Sequence, residues 1–184
     1  MDDLAHAAGK DPLAFRLDHL SDPRARAVIE ITASKFGWSK HQTGTKLGHG
    51  LGFARLNNYG AYVAVAAAVE STGSDTAARL IRIVATVDCG EIINPDGVRN
   101  QIEGGIVQAS SWALLERVDF DQTRIINNDW ISYPIMRITE TPEIEVHVVN
   151  RPGEPYLGVG EAAQGPAAAA IANAFSRLTG RRHS

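Results

Sequence analysis

The chain has 184 residues, of which 44% are hydrophobic and 21% charged, and its formal net charge is −3; a chain of this length buries roughly 70% of its unfolded surface without any staple. The mild acidity argues against nucleic acid or an anionic membrane as partner, and a single cysteine, Cys89, excludes an internal disulfide. No apolar run approaches the roughly 20 residues of a membrane span, and the opening MDDLAHAAGK is too acidic and too polar for a signal peptide.

In chain order, Asp2–Ala8 and Pro12–Leu20 read as short helices parted by Gly9-Lys10-Asp11-Pro12, a stop followed by a proline start. Asp22-Pro23 opens a third, with Ala27, Val28 and Ile31 at helical spacing and Gly37 closing it. Ser39–Thr45 reads as a polar loop. Leu47–Leu56 is broken by Gly48, Gly50 and Gly52, which predicts a distorted strand. Ala61–Val69 and Arg79–Val87 are better strands, joined by a polar hairpin connection over Ser71–Ala77. Asn94-Pro95-Asp96 supplies a cap, a proline at the first helical position and an early acid, predicting a helix from about Pro95 to Glu116. Val118–Thr141 reads as irregular, with a turn at Asp119–Thr123. Ile144–Val149 is a strand, and a last helix runs from Gln164 or Pro166 to Leu178. The expected fold is α+β: a mixed or antiparallel sheet of four to five strands with packed helices. Residues 1–184 read as a single domain, with an N-terminal helical segment over 1–38 and an α+β core over 46–184.

Two segments stand out chemically. In the long helix Gln101, Gly105, Gln108 and Trp112 line one stripe, and the adjacent Gly104-Gly105 costs roughly 1 kcal/mol per glycine relative to alanine. Such a pair marks either a close crossing with another element or a place where a flat polar ligand rests beside Gln101. In Leu157-Gly158-Val159-Gly160-Glu161, two glycines precede a carboxylate just before a helix. Glu161 could simply favour the helix N-terminus. Alternatively, its glycine, alanine and valine surroundings would desolvate it and raise its pKa toward general-base range. Gly48-His49-Gly50-Leu51-Gly52 lacks the strand before and helix after that a phosphate cradle needs. The six histidines show no metal-ligand spacing to one another, to cysteine or to acids. Cys89 reads as a small core filler.

These segments carry a family resemblance. Val87-Asp88-Cys89-Gly90-Glu91-Ile92-Ile93-Asn94-Pro95 resembles the D-C-G-x-x-(V/I)-N-P segment of molybdenum hydroxylase large subunits, and Gln101-Ile102-Glu103-Gly104-Gly105 their Q-x-E-G-G/A helix. Gly158-Val159-Gly160-Glu161 resembles their G-x-G-E motif and Ala170-Ile171-Ala172-Asn173-Ala174 the helix after it, in the same order and with 60 residues from Gln101 to Glu161. Asp11-Pro12-Leu13-Ala14-Phe15-Arg16-Leu17 and Thr179-Gly180-Arg181-Arg182 extend the likeness over nearly the whole chain, toward the isoquinoline 1-oxidoreductase/aldehyde oxidase branch of the xanthine dehydrogenase family.

The resemblance implies a molybdenum–molybdopterin cofactor and hydroxylation of an aldehyde or N-heterocycle with oxygen from water. It implies that Glu161 is the general base acting on the metal's hydroxyl, that Gln101 hydrogen-bonds the pterin, that Gly105 leaves it room, and that Gly158 and Gly160 let the cofactor approach; no metal ligand comes from the protein. It further implies a longer subunit, of which residues 1–184 would be a single partial domain and Met1–Ala5 an interior stretch, and electrons leaving through an iron–sulfur subunit. The partners expected are the remainder of the molybdopterin subunit, docking on an exposed apolar face rich in alanine and glycine, and that iron–sulfur subunit; a homodimer is a further option. A cytoplasmic location is expected, or a periplasmic one through a partner's signal. The alternative reading is a non-catalytic interaction module or a remnant of such a subunit.

Overall fold

A computed structural model describes residues 1–38, 46–73 and 78–180. The Ser39–Thr45 loop, most of the Ser71–Ala77 connection and the Arg181-Arg182 pair lie outside the described residues. Three helices come first: α1 (Asp2–Ala7), α2 (Pro12–His19) and α3 (Pro23–Phe36). Asp11 and Asp22 cap α2 and α3, each carboxylate accepting from two backbone amides of the first turn, with proline at the first helical position. Gly37 closes α3 at φ 81°, and its amide donates to the carbonyls of Ala33 and Ser34.

Strands β1 (Leu47–Arg55), β2 (Tyr62–Ser71), β3 (Ala78–Asp88) and β4 (Glu143–Val149) form one sheet in the order β1-β2-β3-β4. The first three are antiparallel neighbours, whereas β4 lies parallel to β3. A parallel neighbour needs a long crossover, and the crossover here holds α4 (Pro95–Leu114) and the irregular stretch after it. The last helix, α5 (Gln164–Thr179), returns across the sheet. The expected α+β fold with a mixed sheet is therefore observed, with four strands.

Strand β2 is central and buried on both faces. Val63, Val65, Ala67 and Val69 point into a core shared with Ile102, Ile106 and Ala109 of α4 and with Ala170, Ile171 and Ala174 of α5. Tyr62, Ala64, Ala66 and Ala68 point the other way, toward Val28, Ile29 and Phe36 of α3. Helices thus cover both faces, so the N-terminal helical segment is a layer on the sheet. Its alanines allow α3 close enough for the Thr32 hydroxyl to donate to the Ala64 carbonyl at 3.3 Å.

Strand β1 departs from expectation. It is a regular strand, paired with β2 over all nine residues, and its glycines answer to α5. A Cβ built on Gly48, Gly50 or Gly52 would lie 2.2, 2.0 or 2.0 Å from the carbonyl oxygens of Ala174, Ala170 and Pro166 respectively. Two strand residues advance about 6.8 Å and four helical residues about 6 Å, so every second residue of β1 meets every fourth of α5. A side chain on that track would push the helix off the sheet. At this edge strand the Leu51 carbonyl faces away from the ladder and accepts from Arg16 Nη2 and Asn173 Nδ2, both at 2.9 Å. Those two donors explain the arginine and asparagine within the family-like segments at either end of the chain, and with α2 they close an edge otherwise open to pairing.

Candidate functional site

The two segments singled out in the sequence come together where α4 meets the start of α5. Asn94 caps α4 by accepting from the Gly97 amide at 2.9 Å. Ile102, Gly105, Ile106 and Ala109 face the core, which leaves Gln101, Gly104, Gln108 and Trp112 as an exposed stripe at helical spacing. The two glycines have different roles. Gly105 is buried, and a Cβ there would lie 3.4 Å from the Ala163 Cβ, so it serves the close approach of α4 to the entry of α5. Gly104 has nothing within 4 Å of that position. The bare stretch of helix, expected at Gly105, is at Gly104. Gln164 Nε2 donates to Gln108 Oε1 at 3.0 Å, tying the first residue of α5 to the stripe.

The chain reaches this point through a stitched loop pair. Asp88 ends β3 fully buried, and its carboxylate accepts from Arg24 Nη2 at 2.5 Å and Nε at 3.1 Å, from the Gly90 amide at 3.1 Å, and from Arg151 Nε. Burial pushes this carboxyl up, but the hydrogen bonds from Arg24 and Arg151 outweigh it and hold the group below its usual range. Gly90, at φ 78°, lies so close beneath Pro155 that a Cβ would come 2.0 Å from that carbonyl oxygen. Beyond it the amides of Glu91 and Leu157 donate to the carbonyls of Glu154 and Cys89, at 3.1 and 2.8 Å. Cys89 itself is buried, and burial together with the Asp88 charge raises its thiol pKa.

Four residues after Leu157 comes Glu161. Gly160 of the same turn lies against Gln101, whose Oε1 is 3.8 Å from the Gly160 Cβ position, while Gly158 faces open space. The structure thus brings Gly160, and with it the Gly158–Glu161 turn, against Gln101, one turn of α4 from Gly104. Glu161 does not cap α5: the helix begins at Gln164 with Ala163 at its N-cap and no acid in its first turn. Nor is it desolvated within this chain. Ala162 and Ala163 behind it are buried, but Glu161 is exposed, so the described residues do not supply the apolar enclosure expected for it. Among the described residues no group of three or more His, Cys, Asp or Glu could hold a metal, and no helix is long and apolar enough to cross a membrane.

Sequence reasoning missed Arg24 and Arg151, whose pairing with Asp88 spans more than sixty positions. The only hint was an aspartate closing an apolar strand, which needs a buried cation or several donors. Of the alanines and glycines expected on a docking face, Gly48, Gly50, Gly52 and Gly105 with most of the α5 alanines are packed between β1, α4 and α5, whereas Gly104, Gly158 and Gly165 face open space. Several of the most exposed large apolar side chains lie in the irregular segment after α4, where Phe120, Trp130, Ile131 and Ile138 are 75–92% exposed. That segment holds its shape by local turns. The Asp121 carboxylate accepts from the amides of Thr123 and Arg124 at 2.7 and 3.0 Å, inside the small Phe120–Ile125 bridge.

Comparison with known proteins gives a consistent family. The family described as molybdopterin cofactor-binding domain matches residues 3–142. One subunit of the nicotinate dehydrogenase of Pseudomonas putida is 39% identical over 99% of the chain, and the beta chain of the isoquinoline 1-oxidoreductase of Brevundimonas diminuta is 34% identical over 98%. The chain spans only 16% and 23% of those relatives' lengths. Among solved structures, quinoline 2-oxidoreductase from Pseudomonas putida superposes with a TM-score of 0.59 at 34% identity, over 64% of this chain and 16% of that one. Aldehyde oxidoreductase from Desulfovibrio gigas gives 0.57 at 28%, over 67% and 14%.

Proposed function

Since this chain belongs to the molybdopterin cofactor-binding domain family, among molybdopterin-binding subunits of the xanthine dehydrogenase type, we propose that it forms one wall of a molybdenum hydroxylase active site, with Glu161 as general base. The observation that carries the reading is the meeting of the Gly158–Glu161 turn with Gln101 on the exposed side of α4. The residues on that face fit a pterin-borne metal. Gly104 and Gly158 leave open space against which a flat ring system would lie. Gln101, Gln108 and Gln164 offer amide donors and acceptors suited to the edges of a pterin.

In this role Gln101 binds and orients the pterin, Gly158 and Gly160 admit it close to the backbone, and Gly105 seats α4 against α5 so that the turn stays beside Gln101. When bound, the molybdenum–molybdopterin group supplies the two-electron oxidation of an aldehyde or N-heterocycle with water-derived oxygen. Glu161 takes up the proton released at the attacking oxygen and holds it on its carboxylate. A carboxylate performs this task best with a pKa near working pH. Because this chain leaves Glu161 in water, the opposite wall must exclude solvent.

That wall belongs, in this proposal, to the remainder of the molybdopterin subunit, residues 1–184 being one partial domain of it. The exposed apolar side chains after α4 favour such a partner, since covering Phe120, Trp130, Ile131 and Ile138 with another chain would remove their apolar surface from water. An iron–sulfur subunit would carry the electrons away, and a cytoplasmic site, or a periplasmic one reached through a partner's signal, suits the assembly. Replacing Glu161 by Gln in the complete subunit tests the reading. Turnover should fall at least about a hundredfold, as for loss of a general base, with molybdenum and pterin content unchanged. A non-catalytic module would have no turnover to lose, and an active Glu161→Gln enzyme would overturn the assignment.

A further inference from the structure

We infer that Asp88 is a positioning residue: its buried carboxylate clamps the segment 150–157 to α3 and thereby holds the Glu161 turn beside Gln101. The inference rests on the proposed role of Glu161, and it is built from contacts on three elements. From α3, Arg24 makes a two-point contact with Asp88 through Nε and Nη2, and its guanidinium stacks over the Tyr62 ring, 4.8 Å from the centroid. From the segment after β4, Arg151 donates to the same carboxylate while its own amide donates to the Gly90 carbonyl at 3.1 Å. From the loop itself, the Gly90 amide supplies a further donor.

One carboxylate fully removed from water therefore accepts four hydrogen bonds, the full capacity of its two oxygens, and joins α3 to the segment 150–157. That segment is otherwise tied to α3 by the longer, more exposed Arg24–Glu154 ion pair at 4.0 Å, and to the 89–92 loop by backbone bonds and by the Asn150 and Glu91 side chains. The segment it secures is otherwise exposed from Pro152 to Tyr156 and has few apolar anchors before the half-buried Leu157 and Val159. A segment with so little burial opens readily. The clamp at Arg151 and the backbone bond from the Leu157 amide to Cys89 define where the following turn begins. Displacing a catalytic group by an ångström costs up to roughly a hundredfold in rate, so a tie this close to Glu161 bears on turnover without touching the reaction.

The test uses the complete subunit assembly carrying Asp88→Asn, and separately Arg151→Met, which removes the segment's own link to the Asp88 carboxylate while leaving the Arg24–Asp88 and Arg24–Glu154 pairs intact. Hydrogen exchange of the 151–161 amides should quicken roughly tenfold or more in both variants, with α3 affected only in Asp88→Asn. Turnover should fall roughly 10- to 100-fold with KM and molybdenum content nearly unchanged. Unchanged exchange over 151–161 in Arg151→Met would overturn the inference, as would a uniform rise in exchange across all elements, which marks general destabilisation. Because the exchange readout does not depend on Glu161 being the base, an active Glu161→Gln enzyme would remove the catalytic consequence and leave the clamp to stand or fall by itself.

Discussion

Replacing Gly50 by alanine tests the fit of α5 on β1. The added methyl would lie 2.0 Å from the Ala170 carbonyl oxygen and 2.3 Å from the Ala174 amide nitrogen. Both are backbone atoms of a helix, so no rotamer change relieves the clash. Ordinary contact begins at 3.4 Å, so α5 must retreat by about 1.4 Å. Ala167, Ala170, Ile171 and Ala174, each at most 1% exposed, would then lose part of their contact with the sheet. Overpacking of this kind costs about 1–3 kcal/mol, and the rigidity of the neighbours puts it at the upper end. At about 2–4 °C per kcal/mol for a chain of this size, the midpoint should drop by about 6–12 °C. Gly104→Ala is the matched control. Nothing stands within 4 Å of that site, and a mid-helix alanine should gain about 1 kcal/mol, raising the midpoint by about 2–4 °C. Thermal melts followed by circular dichroism would compare the three proteins. If Gly50→Ala melted together with the parent, backbone contact between α5 and β1 would not be the reason for the glycines.

Other outcomes follow from the buried polar groups. Asp88 has a folded pKa below its unfolded value near 3.9, so its contribution is fully present above about pH 4 and is lost as pH falls through the lower folded value; urea midpoints should therefore decline from about pH 4 downward, and a decline beginning instead near neutrality would contradict the pairing. The Asp22 carboxylate caps α3 and accepts from the Tyr62 hydroxyl at 2.9 Å, so Asp22→Ala should cost about 1–2 kcal/mol while Asp22→Asn, an equal cap, costs much less, as chemical denaturation would measure. Cys89, buried with its thiol pKa raised, should react with a thiol reagent only at the rate of unfolding; prompt labelling of the native protein would show that the loop opens locally. In the complete subunit, Gln101→Ala should lower pterin retention under dialysis without a change in melting temperature, because the side chain is exposed.

Helices α2 and α3 were readable because each begins with an aspartate cap and a proline, a signal confined to one turn. Strands β2 and β3 were readable from β-rich apolar runs. Strand β1 was misjudged because the cost of glycine in a strand is local, whereas its compensation lies in α5, more than a hundred residues later. The Gly104-Gly105 pair shows the same limit: both glycines carry one penalty in sequence, and only packing assigns Gly105 to Ala163 and Gly104 to open space. Residue pattern alone left Glu161 between a helix-end acid and a base; the motifs in register favoured the base, and α5 starting three residues later without an acidic first turn removes the first option. The Asp88 network stayed hidden because an ion pair between distant positions leaves no periodicity to read.

The most direct measurement is a structure of the complete subunit assembly with its cofactor bound. The account predicts that the Glu161 carboxylate lies within hydrogen-bond reach, about 3 Å, of an oxygen at the metal, and that the Gln101 amide bonds the pterin edge over Gly104. A cofactor seated on the α3 face of the sheet, or Glu161 pointing into bulk water in the full assembly, would contradict it.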